Sequence, residues 1–382
     1  MARVTAALIA RNEEAHIGPC LASLKSLANE IVLVDTGSVD RTPEIAARMG
    51  ARILDVPWCE DFAFARNAGL AEASGEWVLY VDADERVDLH GDLRDILADR
   101  EAVAARVKFR ASSRVTPYWE HRLFRNRRDI RFRGVIHETV LPDIRAIVDR
   151  GDGKIVDAPL SFRHLDYEGD LTAKHRRNLP LLRRAVVDDP MRVYLWHALG
   201  EAALGLNDRA GAEIAWRRGL AVVRQRAPLP GDARVYADLI ALHLSETGLS
   251  LPDAADLVKE AGRRHSDDPL VLWWTARFSM SEGRFAEARA HLSRLLVYGP
   301  DGPTGGELGY DRGLFGAYTW ALLGLCWLRE NEPERASAWL RRAETADQSN
   351  LEIRVKRAFA EGVVRARASS TGREGGSIQS SA

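Results

Sequence analysis

The most constraining feature of the sequence is the alternation of short apolar runs with helical patterns over the first 90 residues. The β-rich runs lie at residues 4–10, 31–34, 52–56 and 77–81, and the helical patterns lie between them at 17–27, from 42 onward and at 63–73. The run at 31–34 is wholly apolar, as expected for a parallel strand covered on both faces. The alternation predicts a mostly parallel sheet whose ligands bind at the carboxyl ends of the strands.

The pattern of apolar and polar residues changes after this first region. Between about residues 106 and 162, short β-like pieces at 105–109, 131–135 and 155–156 are separated by polar loops. The segment 121–133 contains six arginines, which fit either attraction for phosphate groups or a solvated loop balanced by acids elsewhere. After about residue 171 the sequence is strongly helical and rich in Ala, Leu and Trp.

The helical half contains an internal repeat with tetratricopeptide spacing. One copy has Trp196, Leu199, Gly200, Ala212 and Trp216 in register, and a second has Trp320, Leu323, Gly324, Trp327, Ala336, Leu340 and Ala343. A looser copy includes Ala288, Leu292 and Pro300, and residues 239–261 are a candidate degenerate fourth. Small residues at these places let paired helices approach, while large ones fill the groove. The alternative is an Ala- and Leu-rich helical bundle without repeats.

These patterns predict three regions in the chain. Residues 1–170 form an α/β domain, residues 171–365 an all-α tetratricopeptide-like repeat domain, and residues 366–382, rich in Ser and Gly, a disordered tail.

Charge and cysteine content exclude several classes of protein. The formal net charge of −1 over 382 residues gives no general attraction for nucleic acid or for an anionic membrane. Cys20, Cys59 and Cys326 are odd in number and scattered, which favours a reducing cytoplasm over a disulfide framework. The longest uncharged stretch, 315–328, is too short to span a bilayer, and the apolar run at 4–10 lacks a cleavage site, so we expect neither a membrane span nor a signal peptide.

The strongest chemical signal is the pair of carboxylates in Asp82-Ala83-Asp84, directly after the fourth β-rich run. Carboxylate oxygens are the ligands that hard divalent cations prefer, and the phosphates of a nucleotide diphosphate complete such a shell. An alternating pair of Asp residues also occurs in ordinary solvated loops, so the motif has weight only together with its neighbours.

Four blocks in the first 90 residues, with two further blocks downstream, resemble glycosyltransferase family 2. They are Ala10-Arg11-Asn12-Glu13-Glu14, the run from Val34 to Thr42, Ala65-Arg66-Asn67, Leu79 to Glu85, His121 to Asn126, and Gly134 to Glu138. The resemblance implies the GT-A fold, a Rossmann-like mostly parallel sheet, here followed by tetratricopeptide-like repeats. It extends to bacterial peptide S-glycosyltransferases and lipopolysaccharide-core transferases.

The resemblance also implies roles for individual residues. Asp35 would contact the nucleoside, while Ala10 and Glu14 would line the base pocket. Arg66 would hold the base or phosphate, Asp82 with Ala83 would contact the ribose or sugar, and Asp84 would bind the metal. The alternatives are structural: a helix cap or turn for Asp35 and a surface salt bridge for Arg66.

The acceptor side is less clearly marked. Inverting transfer needs a base to deprotonate the acceptor, and His137-Glu138 replaces the Glu-Asp pair that is usual in the family. Glu138 is the first candidate base and Glu120 the second, while His137 would contact the diphosphate or pack. His164 stands where relatives often have a histidine that completes the metal shell, and imidazole suits Mn²⁺ better than Mg²⁺.

The sequence thus predicts an inverting, Mn²⁺- or Mg²⁺-dependent transferase that uses a nucleotide sugar, with UDP favoured because it is common among relatives. The repeats would hold a peptide or protein acceptor or mediate self-association as a homo-oligomer. The alternatives are a helical-repeat scaffold with an inactive transferase domain, or a lipopolysaccharide, other glycan or small-molecule acceptor. A nucleotidyltransferase is disfavoured because residues 10–13 lack its Gly-rich loop.

Overall fold

The computed structural model describes residues 2–165, 171–245 and 252–374. The chain divides into two compact units. The first comprises Met1–Gln225 with Thr304–Gly309, and the second Arg226–Pro303 with Tyr310–Ala382.

The first unit is built on one eight-stranded sheet. Its strands are β1 (Val4–Ala10), β2 (Glu30–Asp35), β3 (Arg52–Asp55), β4 (Trp77–Asp82), β5 (Glu85–Leu89), β6 (Ala102–Arg110), β7 (Tyr118–Arg125) and β8 (Lys154–His164). Its helices are α1 (Ile17–Leu24), α2 (Thr42–Arg48), α3 (Phe62–Glu72), α4 (Arg94–Ala98), α5 (Leu141–Asp149), α6 (Thr172–Asp188), α7 (Val193–Gly205) and α8 (Arg209–Arg224).

The strand order is β3-β2-β1-β4-β7-β6-β8-β5. The predicted half, β3-β2-β1-β4, is parallel throughout. Antiparallel pairing begins where β7 joins β4, and β6 then pairs parallel with β8. The α/β prediction is therefore confirmed, although the half of the sheet beyond β4 is mixed rather than parallel.

Side chains of the central strands alternate between two hydrophobic clusters. Leu8 and Leu79 pack on the α1 side with Leu21, whereas Ala7 and Val78 pack on the opposite face. This is the period-2 pattern expected of a strand buried on both sides. The segment 131–135, predicted to be β-like, is instead irregular and forms one isolated bridge, Arg133 to Thr139.

Parallel register places the acidic strand ends at one edge of the sheet. Asp35 at the end of β2 is opposite Ala10 of β1, and Asp82 at the end of β4 is opposite Ile9. The carboxyl ends of these three strands, where the sequence analysis placed a donor site, therefore meet at the same edge.

The first helices after residue 170 belong to the same compact unit as the sheet. Val135 and Ile136 are buried in a cluster with Leu181 and Leu182 of α6 and Leu195 of α7. The first compact unit therefore extends to Gln225, because apolar residues after β7 are covered by the first helical pair; the division into domains at residue 170 stays a prediction.

The second unit is helical. It contains α9 (Ala233–Leu244), α10 (Ala254–Arg264), α11 (Pro269–Ser281), α12 (Phe285–Leu296), a 3-10 turn (Arg312–Phe315), α13 (Ala317–Arg329), α14 (Pro333–Ala346) and α15 (Leu351–Glu374). Predicted repeat positions carry the expected packing, since a Cβ on Gly324 would lie 2.7 Å from Leu340 Cγ on the paired helix. Part of the degenerate fourth copy, 246–251, lies outside the described residues.

The final helix runs to Glu374, so residues 366–374 of the predicted tail are helical, and residues 375–382 lie outside the described residues. Across the described ranges, no helix is both long enough and apolar enough to cross a bilayer.

Candidate active site

Asp84 and His164 meet beside the turn between β4 and β5. Antiparallel pairing of β5 with β8 sets Glu85 opposite His164, and Leu165 N donates to Asp84 O at 3.0 Å. As a result, His164 Nε2 lies 3.1 Å from Asp84 Oδ2. The hydrogen bond to Asp84 raises the pKa of His164. The two residues predicted to share a metal are thus in contact, and both side chains are about 30% exposed.

Arg66 on α3 joins two of the predicted site carboxylates. Its Nη2 donates to Asp82 Oδ1 at 2.6 Å and its Nε to Glu138 Oε1 at 2.5 Å. The guanidinium also lies 5.1 Å from the ring centroid of Tyr80 and 5.4 Å from that of Phe132. Burial alone would raise the pKa of Asp82, but Arg66 and Arg122 outweigh it and lower that pKa to about 2.

One nitrogen of Arg66 remains without a partner. The side chain is 7% exposed, yet its Nη1 is buried with no hydrogen-bond acceptor among the described residues. An unpaired buried N–H group costs free energy, so this position is suited to an acceptor oxygen from a bound molecule.

A second buried arginine lies beside the first. Arg122 Nη2 donates to Glu85 Oε1 at 2.9 Å and its Nε to Glu120 Oε2 at 2.5 Å. Glu85 is fully buried and accepts from Asp82 N at 2.8 Å. Burial raises the pKa of Glu85 to about 8 despite Arg122. Glu85 had no predicted role, and Arg122, one of the six arginines of 121–133, is buried and ion-paired here rather than part of a solvated loop.

Asp35 is held by its own loop. Its Oδ2 accepts from Ser38 N at 3.0 Å and its Oδ1 from Ser38 Oγ at 2.5 Å, which a turn with Gly37 at φ +99° allows. Thr36 N donates to Ala10 O at 3.0 Å, so Ala10 and Asp35 line the same corner. The structure is therefore compatible with both interpretations of Asp35, the turn and the nucleoside contact.

Glu14 lies on the surface and not in a closed pocket. Its Oε2 accepts from Arg41 N and Arg41 Nε, each at 3.3 Å, and its side chain is 44% exposed. The neighbouring Glu13, which was not a predicted site residue, is partly buried and lies within the electrostatic influence of Asp84. Desolvation, followed by the charges of Asp84, Asp40 and Asp82, raises the pKa of Glu13 to about 7.

The loop that carries Glu138 is fixed by α3 and α7. Phe62 N donates to Val135 O at 3.0 Å, and the ring of His137 stacks edge-on against Tyr194 with centroids 5.0 Å apart. His137 has φ +52°, a left-handed conformation that is uncommon for residues other than glycine. Burial and the charges of Arg192, Lys174 and His197 lower the pKa of His137 to about 4.

The structure therefore forms two adjoining groups of predicted residues. Asp82, Arg66 and Glu138 form one continuous chain of ion pairs, and Asp84 pairs with His164. Within the described ranges, no three His, Cys, Asp or Glu side chains are arranged to hold a metal ion. These features define an α/β domain with an acidic site at the carboxyl edge of its sheet.

Sequence comparison identifies the family of this domain. Residues 5–146 match the profile of glycosyl transferase family 2. A TPR repeat-containing protein of Synechococcus elongatus is 36% identical over 242 residues, which cover 60% of this chain and 59% of that protein. Glycosyltransferase SunS of Bacillus subtilis is 31% identical over 149 residues, covering 35% of this chain and 34% of its own. The N-terminal part of the chain therefore carries a glycosyltransferase family 2 domain.

Other relatives cover shorter parts of the chain. An uncharacterised glycosyltransferase of Rickettsia typhi is 34% identical over 97 residues, covering 25% of this chain and 32% of its own. The fold is also similar to a crystal structure of glucosyl-3-phosphoglycerate synthase from Mycobacterium tuberculosis in complex with Mn²⁺, UDP and glucosyl-3-phosphoglycerate. The match covers 48% of this chain and 80% of the synthase chain, at 18% sequence identity and a TM-score of 0.35. The chain spans 59%, 34% and 32% of the lengths of the three relatives compared by sequence.

Proposed function

We propose that this chain is an inverting, divalent-cation-dependent glycosyltransferase that transfers a sugar from a nucleotide diphosphate, with UDP the first nucleotide to test. The observation that carries the proposal is the contact between Asp84 and His164, next to the ion-paired chain Asp82–Arg66–Glu138, in which Arg66 is buried. All five side chains belong to one unit, and Asp82 and Asp84 leave the carboxyl edge of the sheet where ligands of such folds bind.

Asp84 and His164 fit a divalent cation by their chemistry. A carboxylate with an imidazole suits Mn²⁺ better than Mg²⁺. With only two protein ligands in contact, phosphate oxygens of the donor and water would complete the shell, so metal and nucleotide would bind together. A bound cation would neutralise charge on the leaving diphosphate.

Arg66 supports the donor role of Asp82. It holds one carboxylate oxygen of Asp82 and leaves its own Nη1 available for an oxygen of the donor. Glu85 fixes the backbone of Asp82 through the bond from Asp82 N. Both the backbone and the carboxylate of Asp82 are therefore held by hydrogen bonds, and the side chain needs little reorganisation when the donor binds.

Glu138 is the proposed base. Arg66 fixes its Oε1, and no hydrogen bond within the described ranges involves its Oε2, which can take the proton of an acceptor as that acceptor attacks the anomeric carbon. Glu120 is more heavily committed, since it pairs with Arg122 and bonds the hydroxyl of Tyr118. We expect Glu138→Gln to lower the rate of transfer at least about a hundredfold while donor affinity is kept; a Glu120→Gln variant with the larger loss would reverse the assignment.

Nucleotide binding tests the observation that carries the proposal. Thermal shift is measured with nucleoside diphosphates and nucleotide sugars in the presence of Mn²⁺, because a ligand that binds only the folded state stabilises it by mass action. Asp84→Asn should abolish the shift. Asp88→Asn is the matched control, since Asp88 lies on β5 and pairs with the exposed Arg163. A shift that survives Asp84→Asn contradicts the assigned metal site.

The acceptor is proposed to be a peptide or protein held by the helical repeats, which also offer a surface for self-association. Support comes from the repeat packing and from the relative that is named for its TPR repeats. A labelled nucleotide sugar incubated with cell extract and the full chain would distinguish acceptors. Label in the protein fraction supports this proposal, and label in lipopolysaccharide or in small molecules supports the alternatives.

The scaffold alternative is tested by the same incubation. No turnover of any nucleotide sugar, together with no effect of Asp84→Asn, would favour an inactive transferase domain. Against it stands the burial of Arg66 and Arg122 beside the motif carboxylates, because buried guanidinium groups are expensive to desolvate and their ion pairs give little net stability.

A further inference from the structure

A cluster of basic side chains lies beside the candidate base on the first helical pair. It consists of Arg192, the N-cap residue of α7, His137 in the loop before Glu138, and Lys174 on α6, whose charge acts on His137. A Cβ built on Gly134 would lie 3.6 Å from Arg192 Nη1, so this arginine approaches the backbone of the Glu138 loop. Arg192 Cζ is also 6.0 Å from the ring centroid of Tyr194, which contacts His137.

The cations of this cluster lack matching acids. Neither Arg192 nor Lys174 forms an ion pair within the described ranges. Glu138 is the carboxylate of the loop, but Arg66 already holds it, and His197 on α7 pairs instead with Glu201 at 3.3 Å. Asp189 and, more weakly, Glu138 act on Arg192 by their charges without pairing with it. A partly buried guanidinium without an ion pair is costly unless an anion approaches it.

Burial shows that the cluster is not simply a solvated face. Arg192 is partly buried, and this burial lowers its pKa. His137 is kept neutral, since burial and then Arg192, Lys174 and His197 depress its pKa. Lys174, by contrast, is exposed. The cluster therefore combines a partly buried guanidinium, which can bind an oxyanion through two N–H groups, with an exposed ammonium group.

We propose that Arg192, Lys174 and His137 form a subsite for an oxyanion, a phosphate or carboxylate group, carried by the acceptor. The proposal rests on the proposed transferase function and names the chemistry of its second substrate. An acceptor anchored by an anionic group at Arg192 would present its attacking atom to Glu138, because the two residues belong to one loop-and-helix assembly. Neutral His137 can donate one further hydrogen bond to such a group.

Inorganic phosphate is the probe that tests the subsite. Its binding to the full chain is measured by isothermal titration calorimetry at constant ionic strength, first without ligand and then with saturating Mn²⁺ and the nucleoside diphosphate that binds best. We expect phosphate to bind in both conditions. We expect Arg192→Met and Lys174→Met each to weaken it about tenfold, as loss of one charge-assisted bond implies. Arg183→Met, an exposed arginine on the same α6, is the matched control and should change nothing.

Two results would overturn the proposal. Phosphate affinity that is unchanged in both Arg192→Met and Lys174→Met excludes the subsite. Phosphate that is displaced by the nucleoside diphosphate, with nucleotide binding weakened in Arg192→Met, assigns the cluster to the donor diphosphate instead. If Arg192→Met fails to fold, the exposed Lys174 still decides the question. Failure of the transferase proposal gives a different result: no nucleoside diphosphate binds, while phosphate binding to the protein alone can still be measured.

Discussion

Replacing Arg66 by methionine would remove the cation that joins Asp82 to Glu138. Methionine keeps the apolar stem of the side chain against Tyr80 and Phe132, so the change chiefly deletes charge. Glu138, whose side chain is 11% exposed, would then lie poorly solvated without its partner at 2.5 Å, whereas Asp82 is 37% exposed and loses a contact of 2.6 Å that water partly replaces. Breaking a buried ion pair from one side costs about 3–5 kcal/mol.

For a unit of this size, that loss lowers the thermal midpoint by roughly 6–20 °C. The assay is thermal unfolding followed by circular dichroism on the full chain. Arg52→Met is the matched control, because Arg52 pairs with Glu72 at the surface, where both side chains are over 40% exposed, and such pairs contribute about 0–1 kcal/mol.

The pH dependence gives a second check on the same variant. Arg66 lowers the pKa of Asp82 to about 2, so the stabilisation is present above the unfolded value near 4 and is lost as pH falls through 2. The midpoints of wild type and Arg66→Met should therefore converge in acid. A loss below about 1 kcal/mol at neutral pH, equal to that of Arg52→Met, would refute the buried pairing described above.

Two further predictions concern the loop and the first helical pair. The pKa of His137 is about 4, below its unfolded value, so the folded state should lose up to about 3 kcal/mol relative to the unfolded state as pH falls from 6.5 to 4. The variant His137→Asn, in which asparagine tolerates a positive φ, should remove this dependence of the unfolding free energy on pH. An unchanged pH dependence in urea unfolding would contradict burial of the ring. Gly200→Ala should destabilise the protein by about 1–3 kcal/mol, since the added Cβ would lie 2.1 Å from Trp216 Nε1. The control Gly262→Ala, with open space around it, should be neutral or stabilise by up to about 1 kcal/mol. Equal thermal unfolding midpoints for the two variants would show that Gly200 does not contact Trp216.

The parallel half of the sheet could be predicted because its strands are simple. Residues of β1, β2 and β4 are mostly apolar on both faces, β2 and β4 end at aspartates and β1 is followed by Arg11, so length and composition suffice to identify them. β7 could not be recognised in the same way. Its sequence includes His121 and Arg122, which look solvated, yet both are buried, because Arg122 pairs with Glu85 and Glu120.

The carboxylates at the end of β4 were more predictable than the loop that carries Glu138. Asp82 and Asp84 follow one strand, and the resemblance suggested that His164 comes near Asp84, which the structure shows. The partnership of Arg66 with Glu138 joins residues far apart in sequence, so no local pattern could reveal it. The same holds for the unit boundary, because Val135 and Ile136 are a short apolar pair whose partners on α6 and α7 are known only after folding.

The most direct test of the account is turnover of the donor in the full chain. Release of nucleoside diphosphate from a panel of nucleotide sugars is measured with Mn²⁺, after chelation, and in Asp84→Asn with Asp88→Asn as control. The account predicts turnover of at least one donor that needs Mn²⁺, survives Asp88→Asn and is lost in Asp84→Asn. Turnover that persists after chelation and in Asp84→Asn would contradict the assignment of Asp84 and His164 as the metal site.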